Sequence, residues 1–102
     1  MEQLNAQQWK EKLDASSGGV IVDVRTPVEW EEGIIPNAVL NNIHEQQGFM
    51  DYVESLDKEK EYFIYCRSGA RSGNACAYMD SLGFTNTYNL TGGIMNWPFE
   101  KA

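Results

Sequence analysis

The sequence predicts an α/β domain: a parallel sheet flanked by helices on both faces. Three observations predict it. Short apolar runs alternate with segments of helical spacing along the whole chain. Val20-Ile21-Val22-Asp23-Val24 and Tyr62-Phe63-Ile64-Tyr65 are almost continuously apolar, as strands covered on both faces are. Each run ends in chemically capable residues, Asp23 and Arg25 after the first and Cys66 after the second. In open parallel sheets ligands sit at the carboxyl ends of the strands.

Each element has a local reason. Asn5 and Gln8 form a capping-box pattern, with Leu4 and Trp9 at the staple positions, so a helix starts after Asn5. Trp9 and Leu13, four apart, face inward. Ser16-Ser17-Gly18-Gly19 stops that helix and turns the chain into the Val20 strand. Thr26-Pro27-Val28-Glu29 opens a short helix with Thr26 as cap, Pro27 at the first helical position and Glu29 at the third. Gly33 and Pro36 frame a loop before a short strand over Ala38-Val39-Leu40. Phe49, Tyr52, Val53 and Leu56 fall on one helical face. Ser72 to Leu82 is a helix with Ala75, Cys76, Met79 and Leu82 inward and Gly83 as its stop. Thr87-Tyr88-Asn89-Leu90 is a last strand, and Gly92-Gly93 leads to a terminal turn carrying Trp97.

The 102 residues make one domain, residues 1–102. With 42% hydrophobic residues, the chain can pack a core without staples. No apolar run reaches membrane-span length, and the polar start MEQLNAQQWKEKL is not read as a secretory signal. Two cysteines are too few for a disulfide scaffold, and His44 cannot complete a zinc set with them, so neither metal nor cofactor is expected. Reduced thiols place the chain in the cytoplasm. The net charge of −7 argues against nucleic acid or an anionic membrane as partner.

The charge distribution is more informative than its sum. No acid occurs between Glu61 and Asp80, and Arg67 and Arg71 lie in that window. An acidic chain thus keeps one short basic loop, and arginine's fork of donors suits oxyanions. Ser68, Gly69 and Ala70 let the backbone curl so that successive N–H groups converge. The following helix adds the positive end of its dipole. Amides, dipole and arginines all favour thiolate at Cys66, making it a nucleophile near neutral pH without a histidine base. Such a site attacks an electrophile carried on an anion. Sulfur, phosphorus and arsenic oxyanions all qualify on these grounds.

Asp23-Val24-Arg25 after a buried strand, then Gly33-Ile34-Ile35-Pro36-Asn37-Ala38, Cys66-Arg67-Ser68-Gly69-Ala70-Arg71-Ser72, and Leu90-Thr91-Gly92-Gly93 with Trp97 resemble a single-domain rhodanese in order and spacing. The resemblance implies a five-stranded parallel sheet flanked by helices on both faces. It also implies sulfane-sulfur transfer by double displacement through a persulfide on Cys66, the catalytic residue. The donor would be a small sulfur anion such as thiosulfate, and the acceptor cyanide, a thiol or a protein. Arg67, Ser68, Gly69, Ala70 and Arg71 would bind substrate, chiefly through backbone N–H groups, with Arg71 bracing the loop on its carbonyls or on an acid. Asp23, Arg25, Glu29 and Ser72 would give structural support, with Arg25 paired to Glu29. From Cys66 to Arg71 is six residues. Related phosphatases and arsenate reductases have one residue more, which leaves room for a tetrahedral oxyanion, so the shorter ring favours sulfur. Arg67 directly after the cysteine is similar to thiosulfate-preferring members. The chain departs from the family where Ile34 replaces a histidine and Asn37 a glycine, and asparagine tolerates left-handed backbone angles. A monomer is expected. The alternative function is a persulfide relay or binding module that acts with a protein partner. Cys76 is expected in the core, His44 on the surface, and Trp9, Trp30, Phe49 and Trp97 in packing roles.

Overall fold

The computed structural model describes residues 1–102. Strands β1 (Glu2–Leu4), β2 (Val20–Asp23), β3 (Val39–Leu40), β4 (Tyr62–Tyr65) and β5 (Thr87–Leu90) form one parallel sheet in the order β1-β5-β4-β2-β3. Helices α1 (Ala6–Ala15), α2 (Pro27–Trp30), α3 (Gln46–Glu54) and α4 (Ala70–Ser81) lie between them, and a 3-10 turn, Ile94–Asn96, follows β5. The five-stranded parallel α/β architecture matches the expectation. The central strand is β4, flanked by β2 and β5.

Period two along β4 divides the interior. Tyr62, Ile64 and Cys66 face one cluster with Phe49 and Val53 of α3 and Ala75, Cys76 and Met79 of α4. Phe63 and Tyr65 face the other, with Trp9 of α1, Tyr88, Leu90, Ile94 and Trp97. All four residues of β4 and of β5 are buried, as a strand covered on both faces requires. Trp9 anchors its layer. Its ring stands edge-on to Phe63, Tyr65 and Trp97, and its Nε1 donates to the Tyr88 carbonyl at 3.2 Å.

Local signals were mostly realised. The Asn5 capping box forms, with Gln8 N donating to Asn5 Oδ1 at 2.9 Å and Asn5 N to Gln8 Oε1 at 3.1 Å. Helix α4 ends in a Schellman turn. Gly83, at φ 98°, donates to the Asp80 carbonyl, and Phe84 donates to the Met79 carbonyl. Asn37 takes the left-handed conformation at φ 70°.

One strand is new and several boundaries differ, among them β3, which starts at Val39 rather than Ala38, and α4, which ends at Ser81 rather than Leu82. Strand β1 was not foreseen: three residues pair with β5 from Glu2↔Tyr88 to Leu4↔Leu90. That edge strand is too short to show a period, and its pairing partner lies 86 residues away. Helix α4 starts at Ala70, two residues before the predicted Ser72, because Gly69 at φ 104° caps it. β2 stops at Asp23 rather than Val24. Trp30 is only half-buried, unlike Trp9, Phe49 and Trp97. No helix is long and apolar enough to cross a membrane.

Candidate active site

β4 delivers Cys66 to the carboxyl edge of the sheet, and the chain then curls through residues 67–69 into α4. Gly69 N–H points at Cys66 Sγ from 3.1 Å. The buried Ser72 hydroxyl donates to the same sulfur at 3.3 Å. Burial opposes ionisation of the Cys66 thiol. The Ser72 hydroxyl and the N–H groups of Ser72, Gly69 and Ser68 outweigh it, and its pKa is lowered. Hydroxyl and amide donors, rather than arginine charge, lead the causes that favour thiolate. Ser72, expected to give structural support, bonds the Cys66 sulfur directly. Burial pushes the other thiol, Cys76, up to about 12, as its place in the core demands.

The loop is held from outside. Ile94 N donates to the Cys66 carbonyl at 3.0 Å and Met95 N to the Arg67 carbonyl at 3.2 Å. These bonds hold two loop carbonyls on the turn that follows β5. Gly93, at φ 63°, makes the approach possible, since a Cβ there would overlap the Arg67 carbonyl. The Gly-Gly pair and the cysteine loop are therefore one assembly. The signal was present as the Gly92-Gly93 motif, but its target lay 26 residues upstream.

Arg71 donates to Glu29 through Nη1 at 2.7 Å and Nη2 at 2.9 Å. The same Glu29 Oε1 accepts from Thr26 N and Thr26 Oγ1. Arg71 bonding holds the Glu29 carboxyl well below the usual carboxylate range, at about 2. The expected pairing of Arg25 with the Glu29 carboxylate does not form. Arg25, 3% exposed, instead forks onto the fully buried Asp23, with Nη2 to Oδ2 at 2.8 Å and Nε to Oδ1 at 3.1 Å. It reaches only the carbonyls of Glu29 and Gly33. Two residues apart at the end of β2, Asp23 and Arg25 face each other before Arg25 can turn outward. Both pairs anchor loops around Cys66, one at the end of β2 and one between α2 and α4.

Arg67 and Ser68 are exposed, and the Arg67 guanidinium joins none of the ion pairs. Arg67 lines a cleft of about 340 Å³ with Ile94, Met95, Gly33 and Lys101. Lys101 is a further cation on that cleft, which Arg25, Glu29 and Glu32 also line. A larger cavity of about 490 Å³ lies between α1, the turn before β2 and the C-terminal segment, and contains none of the cysteine loop. Cys66 lines neither cavity, and Arg67 is the one residue of the cysteine loop on the smaller cleft. Asn89, which carries no local signal beyond its strand, donates through Nδ2 to the Gly69 carbonyl at 3.1 Å. His44 is exposed, as expected.

The parallel α/β sheet has a cysteine at the end of its central strand, with an N–H and an O–H donor on its sulfur and its pKa lowered. The chain belongs to the rhodanese-like domain family, matched over residues 2–99. It is 42% identical over 101 residues to YtwF of Bacillus subtilis (strain 168), covering 98% of this chain and 93% of that one. It is 35% identical over 97 residues to a protein of Allochromatium vinosum named sulfurtransferase, covering 95% and 88%. The crystal structure of a rhodanese-like domain protein from Staphylococcus aureus superposes with a TM-score of 0.83 at 34% identity, covering 98% and 94%. The family is of the sulfurtransferase type.

Proposed function

We propose that the chain moves sulfane sulfur from a small anionic donor such as thiosulfate to a nucleophilic acceptor through a persulfide on Cys66. The observation that carries this is the convergence of Gly69 N–H and Ser72 O–H on Cys66 Sγ, with the thiol's pKa lowered. In the first half-reaction the Cys66 thiolate attacks the outer sulfur of the donor. A new S–S bond forms, the donor's S–S bond breaks, and sulfite leaves with the electron pair. The terminal sulfur of the persulfide carries the negative charge that Cys66 Sγ carried before, so the same donors hold it. In the second half-reaction cyanide, or a small or protein thiol already ionised to its thiolate, attacks that terminal sulfur, the S–S bond to Cys66 breaks, and its pair returns to Cys66 as thiolate. No base is required at either step.

Arg67, exposed and unpaired, draws the anion to the cleft, with Lys101 on the same cleft. The backbone N–H groups of Ser68, Gly69, Ala70 and Arg71 cradle it, while the Arg71 side chain stays on Glu29. Cys66 is 1% exposed, which suits a compact donor reaching in by its outer atom. The chain works where thiols stay reduced, as in the cytoplasm.

Thiocyanate production from thiosulfate and cyanide tests this. Wild type and Cys76→Ser are expected to turn over, and Cys66→Ser to lose activity by at least about a thousandfold, the usual loss for a missing nucleophile. Intact mass after thiosulfate alone should show one added sulfur on wild type and none on Cys66→Ser. An inactive wild type that gains no sulfur would overturn the proposal.

A further inference from the structure

Asn89 is an odd residue for its place. β5 is buried along its whole length, and asparagine is among the residues strands disfavour. Asn89 is 2% exposed, and its side chain faces α4 rather than the aromatic layer of Tyr88 and Leu90. Nδ2 spends both its hydrogens, on Gln3 Oε1 at 2.7 Å and on the Gly69 carbonyl at 3.1 Å. Oδ1 is buried and accepts nothing. An orphaned buried acceptor is destabilising, because it has given up its hydration for nothing. Turning the amide over is worse, since Oδ1 would then face two acceptors. An apolar side chain would avoid this cost, so the bonds that Nδ2 makes have to account for the asparagine.

The Gly69 bond accounts for it. Gly69 is the cap of α4 and sits at φ 104°, in the region where glycine alone turns freely. Its conformation therefore has to be set by bonds from outside. Its carbonyl is gripped by Asn89 Nδ2 and by Gly73 N at 3.0 Å, and its N–H reaches Cys66 Sγ. The residue is pinned on one side by β5 and on the other by the nucleophile.

We propose that Asn89 is a positioning residue for the nucleophile. By fixing the Gly69 carbonyl to β5, it sets the angle at which the loop's N–H groups meet Cys66 Sγ. Asn89 is not itself a catalytic residue, because its side chain touches Gly69 and Gln3 and not the sulfur. The inference needs only that Cys66 is a thiolate nucleophile, whatever group it transfers.

The test is the pH profile of Cys66 alkylation by iodoacetamide, read by intact mass on the full chain. Cys76, buried and shifted to about 12, does not compete near neutrality. In Asn89→Leu the rate at pH 7 should fall about threefold to tenfold, and the midpoint of the profile should move up, as thiolate loses its donors. Thiosulfate–cyanide turnover is not the readout, so failure of the sulfur-transfer proposal would leave this result standing. Thr87→Val removes the bond from Thr87 Oγ1 to Asp80 Oδ1, which joins the same strand to the far end of the same helix. That variant should keep the wild-type midpoint. If Asn89→Leu does not fold, Asn89→Thr keeps a strand-forming residue whose hydroxyl is too short to reach Gly69, and the same upward move is expected. An unchanged midpoint in a folded Asn89 variant, or an equal move in Thr87→Val, would overturn the proposal.

Discussion

At Cys66 two opposing forces act on one proton. Burial favours the thiol, and a hydroxyl with several amides favours the thiolate. The donors win because they are fixed in place before the charge appears, so no reorganisation is needed. The Glu29–Arg71 pair is part of what fixes them. Its side chains are 20% and 26% exposed, so the pair is shielded only in part, and breaking it in Glu29→Gln should cost about 1 to 2 kcal/mol. The pH dependence has a definite sign. Glu29 has its pKa lowered to about 2 in the folded chain, so its contribution is complete above the ordinary carboxylate value and fades as pH falls toward about 2. Urea midpoints of wild type and Glu29→Gln should therefore differ at pH 7 and converge near pH 2. A gap that stays constant with pH would show that the charge of Glu29 is not what matters.

At the scale of elements, the turn after β5 acts on the turn after β4. The amides of Ile94 and Met95 take the carbonyls of Cys66 and Arg67, and Gly93 lets the two turns touch. Gly93→Ala meets two penalties. A left-handed alanine costs about 1 to 2 kcal/mol, and its methyl would push on the Arg67 backbone. We expect a lower urea midpoint together with slower iodoacetamide labelling of Cys66 at pH 7. Loss of stability with unchanged labelling would mean that the two turns are not coupled. The individual elements were largely legible in the sequence. Caps, the Thr26-Pro27 helix start and the Gly83 stop are local signals, settled within about one turn of chain. The pairing between elements was not. Glu29 was assigned to Arg25, four residues away, and took Arg71, 42 residues away. Sequence separation favours the near partner, but the Arg25 guanidinium was already held by Asp23, two residues behind it.

At the scale of the whole molecule, the two layers on either side of the sheet are unequal in kind. One is built from aromatic rings around Trp9, and the other from the aliphatic and sulfur side chains of α3 and α4 with Phe49 and Phe84. Trp9 is fully buried and touches β4, β5 and the terminal turn, so it ties the first helix to the segment that steadies the cysteine loop. Trp9→Ala should cost about 3 to 5 kcal/mol, a large share of the roughly 5 to 15 kcal/mol that holds a domain folded. A thermal melt should show the loss as a fall of more than about ten degrees for a chain of this size. A variant melting within a few degrees of wild type would mean that the aromatic layer is not the main support of that face.

The sequence by itself determined the fold class and singled out Cys66 and its loop as the candidate site. Apolar runs, helix caps and the Cys66–Ser72 segment are local, and local patterns carry their own physical reason. The tertiary structure decided which donors reach the sulfur, which acid takes Arg71, that residues 2–4 form an edge strand, and that Asn89 grips Gly69. Those contacts join residues that lie up to 86 positions apart or that compete for one partner. Proximity of that kind exists only once the sheet has brought the ends of β2, β4 and β5 side by side.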